Sequence, residues 1–151
     1  LVGVFAEEWL TRYAEALQAL GGVRAMVVHG RDGLDEITTT DMSFVADLAD
    51  GKITRSEIAP EDAGLKRATL AELKGGDAAH NAARLRDLLT GETGPYRDIV
   101  LLNASAALMV AGLAKDLREG ASFAARAIDD GGAARKLEEL ISATNNGRFG
   151  R

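Results

Sequence analysis

The 151-residue sequence contains no cysteine. That removes disulfides, thiolate nucleophiles and cysteine-type zinc sites together, and it fits a cytoplasmic location. Aromatic residues are scarce at 5%, against 46% hydrophobic residues, so alanine, leucine, valine and isoleucine must fill the core, as expected for helices packed on a sheet. Positive charge is not in excess either. With 18 basic and 23 acidic residues the net charge is -5, which gives no overall attraction to phosphate backbones or anionic membranes; nucleic acid is not an expected partner. Long hydrophobic runs are missing too. The longest uncharged stretch, Ile99 to Ala114, falls short of the ~20 residues a membrane span needs, and Asn103, Ser105 and Gly112 interrupt it, so a buried core helix is expected instead. No repeat, low-complexity tract, interdomain linker or signal-peptide pattern is visible. A single domain of this length buries roughly 70% of the surface its unfolded chain exposes.

The most informative stretch is Ala25 to Glu36, AMVVHGRDGLDE. A short apolar run rich in β-branched residues stops at a polar segment containing glycine, the pattern of a buried parallel strand ending in a loop. Ligands of open α/β sheets bind outside the carboxyl ends of strands, which puts Asp32, Asp35 and Glu36 where chemistry is expected. Mg²⁺ prefers hard oxygen ligands and usually takes one or two carboxylates, with substrate phosphates and water completing its shell; Asp35-Glu36 suits that role. Two carboxylates about 5 Å apart repel by roughly 3 kcal/mol at an effective dielectric near 20 but by under about 1 kcal/mol in bulk water, so an exposed pair does not by itself demand a cation. In an extended backbone the two side chains would also point to opposite faces. Both reach one ion only if the chain bends there, or if one acts through water. Asp32 reads either as a third ligand or, more simply, as a turn aspartate bonded to its own backbone.

Around this stretch the pattern predicts a strand over Leu1 to Phe5, a helix over Glu7 to Leu20 closed by Gly21-Gly22, and a strand over Val23 to Val28. A strand-rich region follows, with β-branched Ile37 to Thr40, then Phe44 to Leu48 and Ile53 to Ile58 as a hairpin turning at Asp50-Gly51. Pro60 to Lys74 is read as an irregular link with a helical turn at Leu70 to Leu73. Helices are expected at Ala78 to Leu89 with Asp77 as N-cap, at Tyr96 to Ala114, at Glu119 to Asp129 and at Ala133 to Ala143. The fold class is α/β, a mostly parallel sheet flanked by helices with an inserted β-hairpin. Residues 1–145 form the domain and 146–151 a frayed tail.

Other polar residues have structural readings. His29, at the strand end, is read as a hydrogen-bonded anchor for the loop rather than a base. His80 is given no role. Gly75-Gly76-Asp77 could form an anion nest at a helix start, but glycine before an N-cap aspartate is ordinary helix entry. Asn103, on an apolar helix, must find partners for its amide or cost roughly 1 to 3 kcal/mol. Arg84, Arg86 and Arg97 are read as solvated or paired with acids.

HGRDGLDEI at 29–37, LKGGDAAHNA at 73–82 and GPYRDIVLLNASAAL at 94–108, in this order and spacing, resemble the anthranilate phosphoribosyltransferase family of the nucleoside phosphorylase-like phosphoribosyltransferases. The resemblance runs from Val2 to Asn145. It implies a C-terminal part of a longer enzyme, whose preceding part carries a helical domain, the diphosphate loop and the anthranilate-binding residues. It further implies transfer of a phosphoribosyl group from 5-phosphoribosyl diphosphate to anthranilate in tryptophan biosynthesis, by a cytoplasmic homodimer when full length. Asp35 and Glu36 would hold the Mg²⁺ bound to the diphosphate, this chain would supply no catalytic residue, and alone it would be inactive. Two rivals remain: a pyrimidine nucleoside phosphorylase, and a non-catalytic relative or isolated folding unit.

Overall fold

The computed structural model describes residues 1–145. In chain order the elements are β1 (Val2–Gly3), α1 (Trp9–Ala19), β2 (Ala25–Gly30), β3 (Ser43–Ala49), β4 (Lys52–Ile58), a 3-10 turn (Pro60–Ala63), α2 (Leu70–Leu73), α3 (Ala78–Leu89), α4 (Pro95–Val110), α5 (Leu117–Asp129) and α6 (Gly132–Asn145). The tail assigned to 146–151 lies outside the described residues.

The strands form one sheet in the order β1-β2-β3-β4. The α/β class, the flanking helices and the hairpin are as the sequence predicts. Parallel pairing is confined to β1 and β2, where Val2 lies opposite Val27; β2 with β3 and β3 with β4 are antiparallel, so this sheet is less parallel than the expected mostly parallel one. The reason is that the connection from Gly30 to Ser43 contains no helix to carry a parallel crossover, and its turns bring β3 straight back alongside. Asp50 and Gly51 make the tight turn of the β3-β4 hairpin with φ of 50° and 71°.

Helices cover both faces of the sheet. On one face α1 sets Leu10 and Ala14 against Val4, Val27 and Ala46. On the other, α4 and α5 bring Leu102, Ala106, Leu117 and Ala121 onto Met26, Val28, Val45 and Ile58. Burial on both sides explains why β2 reads as a continuous apolar run instead of an alternating one. The uncharged run is a packed helix, α4, as far as Val110, stopping short of the expected Ala114, with Leu102, Ser105 and Ala106 fully buried. No helix of the described residues is long and apolar enough to cross a membrane.

The expected β-branched strand over Ile37 to Thr40 is not formed. The residues are buried, with Ile37, Thr38 and Thr39 at 0% exposure, but Ile37 N–H and C=O and Thr38 N–H bond to side chains and the Thr39 carbonyl accepts the Ala68 N–H, none of them in a neighbouring strand. β-branched composition reported burial here, not pairing.

Candidate functional site

At the carboxyl end of β2 the chain curls back on itself. Gly30 N–H donates to the Leu34 carbonyl (2.8 Å), Gly33 N–H to the Gly30 carbonyl (2.9 Å) and Arg31 N–H to the Met42 carbonyl (2.9 Å). A Cβ on Gly30 would lie 2.5 Å from Asp32 Oδ1 and 3.3 Å from the Glu36 carbonyl oxygen, so the curl requires glycine at that point. His29 is the anchor the sequence suggests: its Nδ1 lies 2.9 Å from the Val4 carbonyl oxygen. A carbonyl can only accept, so Nδ1 carries the proton in this contact.

Asp32 is committed to the loop. Its Oδ1 accepts the Leu34 N–H (3.2 Å), its Oδ2 accepts the Thr38 hydroxyl (2.6 Å), and the Thr40 hydroxyl donates to the same oxygen. Burial opposes its charge, yet these hydrogen bonds from Thr38, Thr40 and Leu34 hold its carboxyl below the ordinary value of 3.8. Thr38 N–H in turn donates to Ser43 Oγ (2.9 Å), tying the loop to the start of β3. The turn-aspartate reading of Asp32 is therefore supported by its bonding.

Asp35 and Glu36 differ from Asp32. Both are exposed, the backbone bends through them, and among the described residues neither carboxylate enters an ion pair or a side-chain hydrogen bond. The bend is the departure from an extended backbone that two adjacent side chains would need to serve one ion. Neighbouring atoms partly shield the Glu36 carboxyl from water although the residue is exposed as a whole, and this, together with the negative charges of Asp35 and Asp32, pushes its pKa above the ordinary 4.5. Hard oxygen donors with uncancelled negative charge fit a divalent cation of the magnesium type. No group of three metal-binding side chains exists among the described residues, so substrate oxygens and water would complete such an ion's shell.

Two residues fix this bend from outside the loop. A Cβ at Gly3 would sit 1.5 Å from the Asp35 carbonyl oxygen, so β1 supports the Asp35 backbone at a distance no side chain allows. Asn103 on α4 accepts the Ile37 N–H at Oδ1 (3.0 Å), while its Nδ2 donates to the Ile37 carbonyl (2.7 Å) and the Ile99 carbonyl (3.0 Å). The sequence marked Asn103 as needing hydrogen-bond partners but could not identify them, and it gave no sign of Gly3, Thr38 or Thr40.

The remaining candidates keep structural roles. Asp77 caps α3 by accepting the His80 N–H (2.8 Å), and the Gly76 N–H donates to Asn81 Oδ1 (2.8 Å), which fits the helix-entry reading of Gly75-Gly76. Arg84 pairs with Glu92 (2.9 Å) and Arg97 with Asp129 (2.8 Å).

The family model described as the glycosyl transferase family, a/b domain, matches residues 1–134. The chain belongs to that family. Among its relatives in the glycosyl transferase family, the anthranilate phosphoribosyltransferase of Parvibaculum lavamentivorans is 58% identical over 145 residues, covering 96% of this chain and 42% of that protein. The crystal structure of anthranilate phosphoribosyltransferase from Thermus thermophilus superposes with a TM-score of 0.83 at 42% identity, over 93% of this chain and 41% of that one. A variant of the Saccharomyces cerevisiae enzyme with Mg bound gives 0.86 at 25% identity, over 95% of this chain and 42% of that one. The chain thus spans about 42% of the length of the curated relatives it matches.

Proposed function

We propose that the enzyme containing this chain transfers the phosphoribosyl group of 5-phosphoribosyl diphosphate to the amino nitrogen of anthranilate, releasing diphosphate. High identity to anthranilate phosphoribosyltransferases along nearly all of this chain carries the reading, and the bent, unpaired Asp35-Glu36 gives this chain a part in it. The same relatives' names support a place in tryptophan biosynthesis. The homodimer and the cytoplasmic location rest on the family resemblance.

Breaking the bond at the anomeric carbon builds positive character on the sugar and negative charge on the departing oxygen. A bound Mg²⁺ supplies charge neutralisation on that leaving group. Asp35 and Glu36 would hold it, directed outward by the bend. Asp32, tied down by Thr38 and Thr40, keeps the loop rigid so that the two carboxylates need little reorganisation. This chain contributes no acid or base to the transfer; its work is to hold charge in place.

The test is the double variant Asp35→Asn, Glu36→Gln in the full-length enzyme. The magnesium concentration for half-maximal turnover should rise by about tenfold or more, with circular dichroism unchanged. A magnesium titration identical to that of the parent rejects the assignment. Assaying anthranilate with the diphosphate donor against thymidine with phosphate separates the proposed transfer from nucleoside phosphorolysis.

A further inference from the structure

We infer that Asn103 is a positioning residue, clasping both backbone groups of Ile37 so that Asp35 and Glu36 stay turned toward the metal. The inference rests on the metal-holding role proposed for those two residues. Three observations support it. The clasp is bidentate, with Ile37 N–H on Oδ1 at 3.0 Å and Nδ2 on the Ile37 carbonyl at 2.7 Å, so it fixes the orientation of the chain as well as its position. Its base is rigid, because Nδ2 also bonds the Ile99 carbonyl one turn back on α4 (3.0 Å) and the adjacent Leu102 is fully buried. Opposite the clasp, Gly3 meets the Asp35 carbonyl so closely that the backbone cannot shift toward β1.

The two-residue acidic segment is therefore gripped at both ends by elements distant in sequence: Gly3 of β1 under Asp35, and α4 through Asn103 on Ile37. Losing the clasp would free the Ile37 peptide to rotate, and with it the direction of the Glu36 side chain that precedes it. Both partners hold backbone groups and neither hydrogen-bonds a carboxylate, so their effect on metal binding would be indirect, through the backbone. Outer partners of this kind typically change metal affinity by about 10- to 100-fold when removed.

The experiment compares four full-length proteins: the parent, Asn103→Ala, the Asp35→Asn, Glu36→Gln double variant, and Ser105→Ala. Ser105 is the control, since its hydroxyl donates to the Leu117 carbonyl (2.7 Å) from the same buried helix and not to the acidic loop. Mn²⁺ binding in the presence of 5-phosphoribosyl diphosphate is followed by electron paramagnetic resonance, alongside the thermal midpoint and the KM for anthranilate. Asn103→Ala should weaken Mn²⁺ binding about tenfold or more and leave the anthranilate KM unchanged. Ser105→Ala should lower the thermal midpoint yet bind Mn²⁺ as the parent does. If Asn103→Ala fails to fold, the isosteric Asn103→Asp replaces it, with the same weakening expected because a carboxylate cannot donate to the Ile37 carbonyl. Parent-like Mn²⁺ binding by the Asn103 variant, with binding lost in the double variant, overturns the positioning role and leaves the metal assignment standing. Equal weakening in Ser105→Ala also overturns it, as a general stability effect. Parent-like binding by the double variant overturns the metal assignment and this inference together.

Discussion

A carboxylate held beside other carboxylates is destabilising until something cancels the charge, and Glu36 is in that position. Partial burial first, then repulsion from Asp35 and Asp32, raises its pKa above 4.5, which means that the folded chain binds this proton more tightly than the unfolded one. The resulting stability is fully present below 4.5 and is lost as pH rises through the folded value. Asp32 behaves oppositely: its contribution is present above 3.8 and lost as pH falls through its lowered value. Glu36→Gln should therefore raise the thermal midpoint at pH 7.5 in the absence of divalent ions, by an increment of roughly 0.5 kcal/mol or less after solvent screening, and give no gain at pH 4. Melting curves at the two pH values check this, and a lower midpoint at pH 7.5 contradicts it. At this scale the sequence exposed the acids, because a β-branched run followed by glycines and carboxylates is a local pattern. It could not expose what grips them. Asn103 lies 66 positions from Ile37, and a glycine in a two-residue strand shows its use only when the Asp35 carbonyl is seen against it.

Elements with their own local signals were legible. The expected cap at Asp77 accepts the His80 N–H at 2.8 Å, and α3 and α2 span the predicted residues, whereas α5 begins at Leu117 with Asp116 as a cap the sequence reading did not name, ahead of the expected start at Glu119. Pairing was legible where a turn signalled it, as at Asp50-Gly51 between β3 and β4, but nothing within β2 says that β3 returns antiparallel to it. The same holds for the contact of α4 with α5, where Ser105 is fully buried and a Cβ on Gly120 would meet Ser105 Oγ at 2.5 Å and its Cα at 2.9 Å. The two helices meet there backbone to backbone, so Gly120→Ala must push them apart. That should cost about 1 to 3 kcal/mol, read as an earlier urea midpoint. An unchanged urea midpoint would mean the crossing has slack that the packing does not reveal.

At the scale of the whole molecule, the two edges of the sheet are unequal. β4 presents Lys52, Arg55 and Glu57 along its exposed edge, and Arg55 pairs with Glu7 (2.9 Å), so charge discourages another strand from adding there. β1 has no such protection. It is flanked by exposed Leu1 and by Phe5, which is 74% exposed, and apolar Leu85, Leu140 and Ile141 are exposed elsewhere on α3 and α6. Unpaired backbone beside apolar side chains is the usual template for strand addition, and a chain spanning about 42% of its relatives' length leaves the remainder of such a protein free to cover these surfaces. Produced alone, the 151-residue chain should self-associate, sedimenting faster as concentration rises. Phe5→Lys places a charge beside the β1 edge at a side chain that is largely exposed and whose aromatic contact among the described residues is the ring of Trp9, with centroids 6.1 Å apart. It should shift association to concentrations several-fold higher, on the order of the fivefold that about 1 kcal/mol represents. Self-association unchanged by Phe5→Lys would move the contact to the α3 and α6 face, and a monodisperse monomer with a sharp, reversible melt would show that neither surface needs covering.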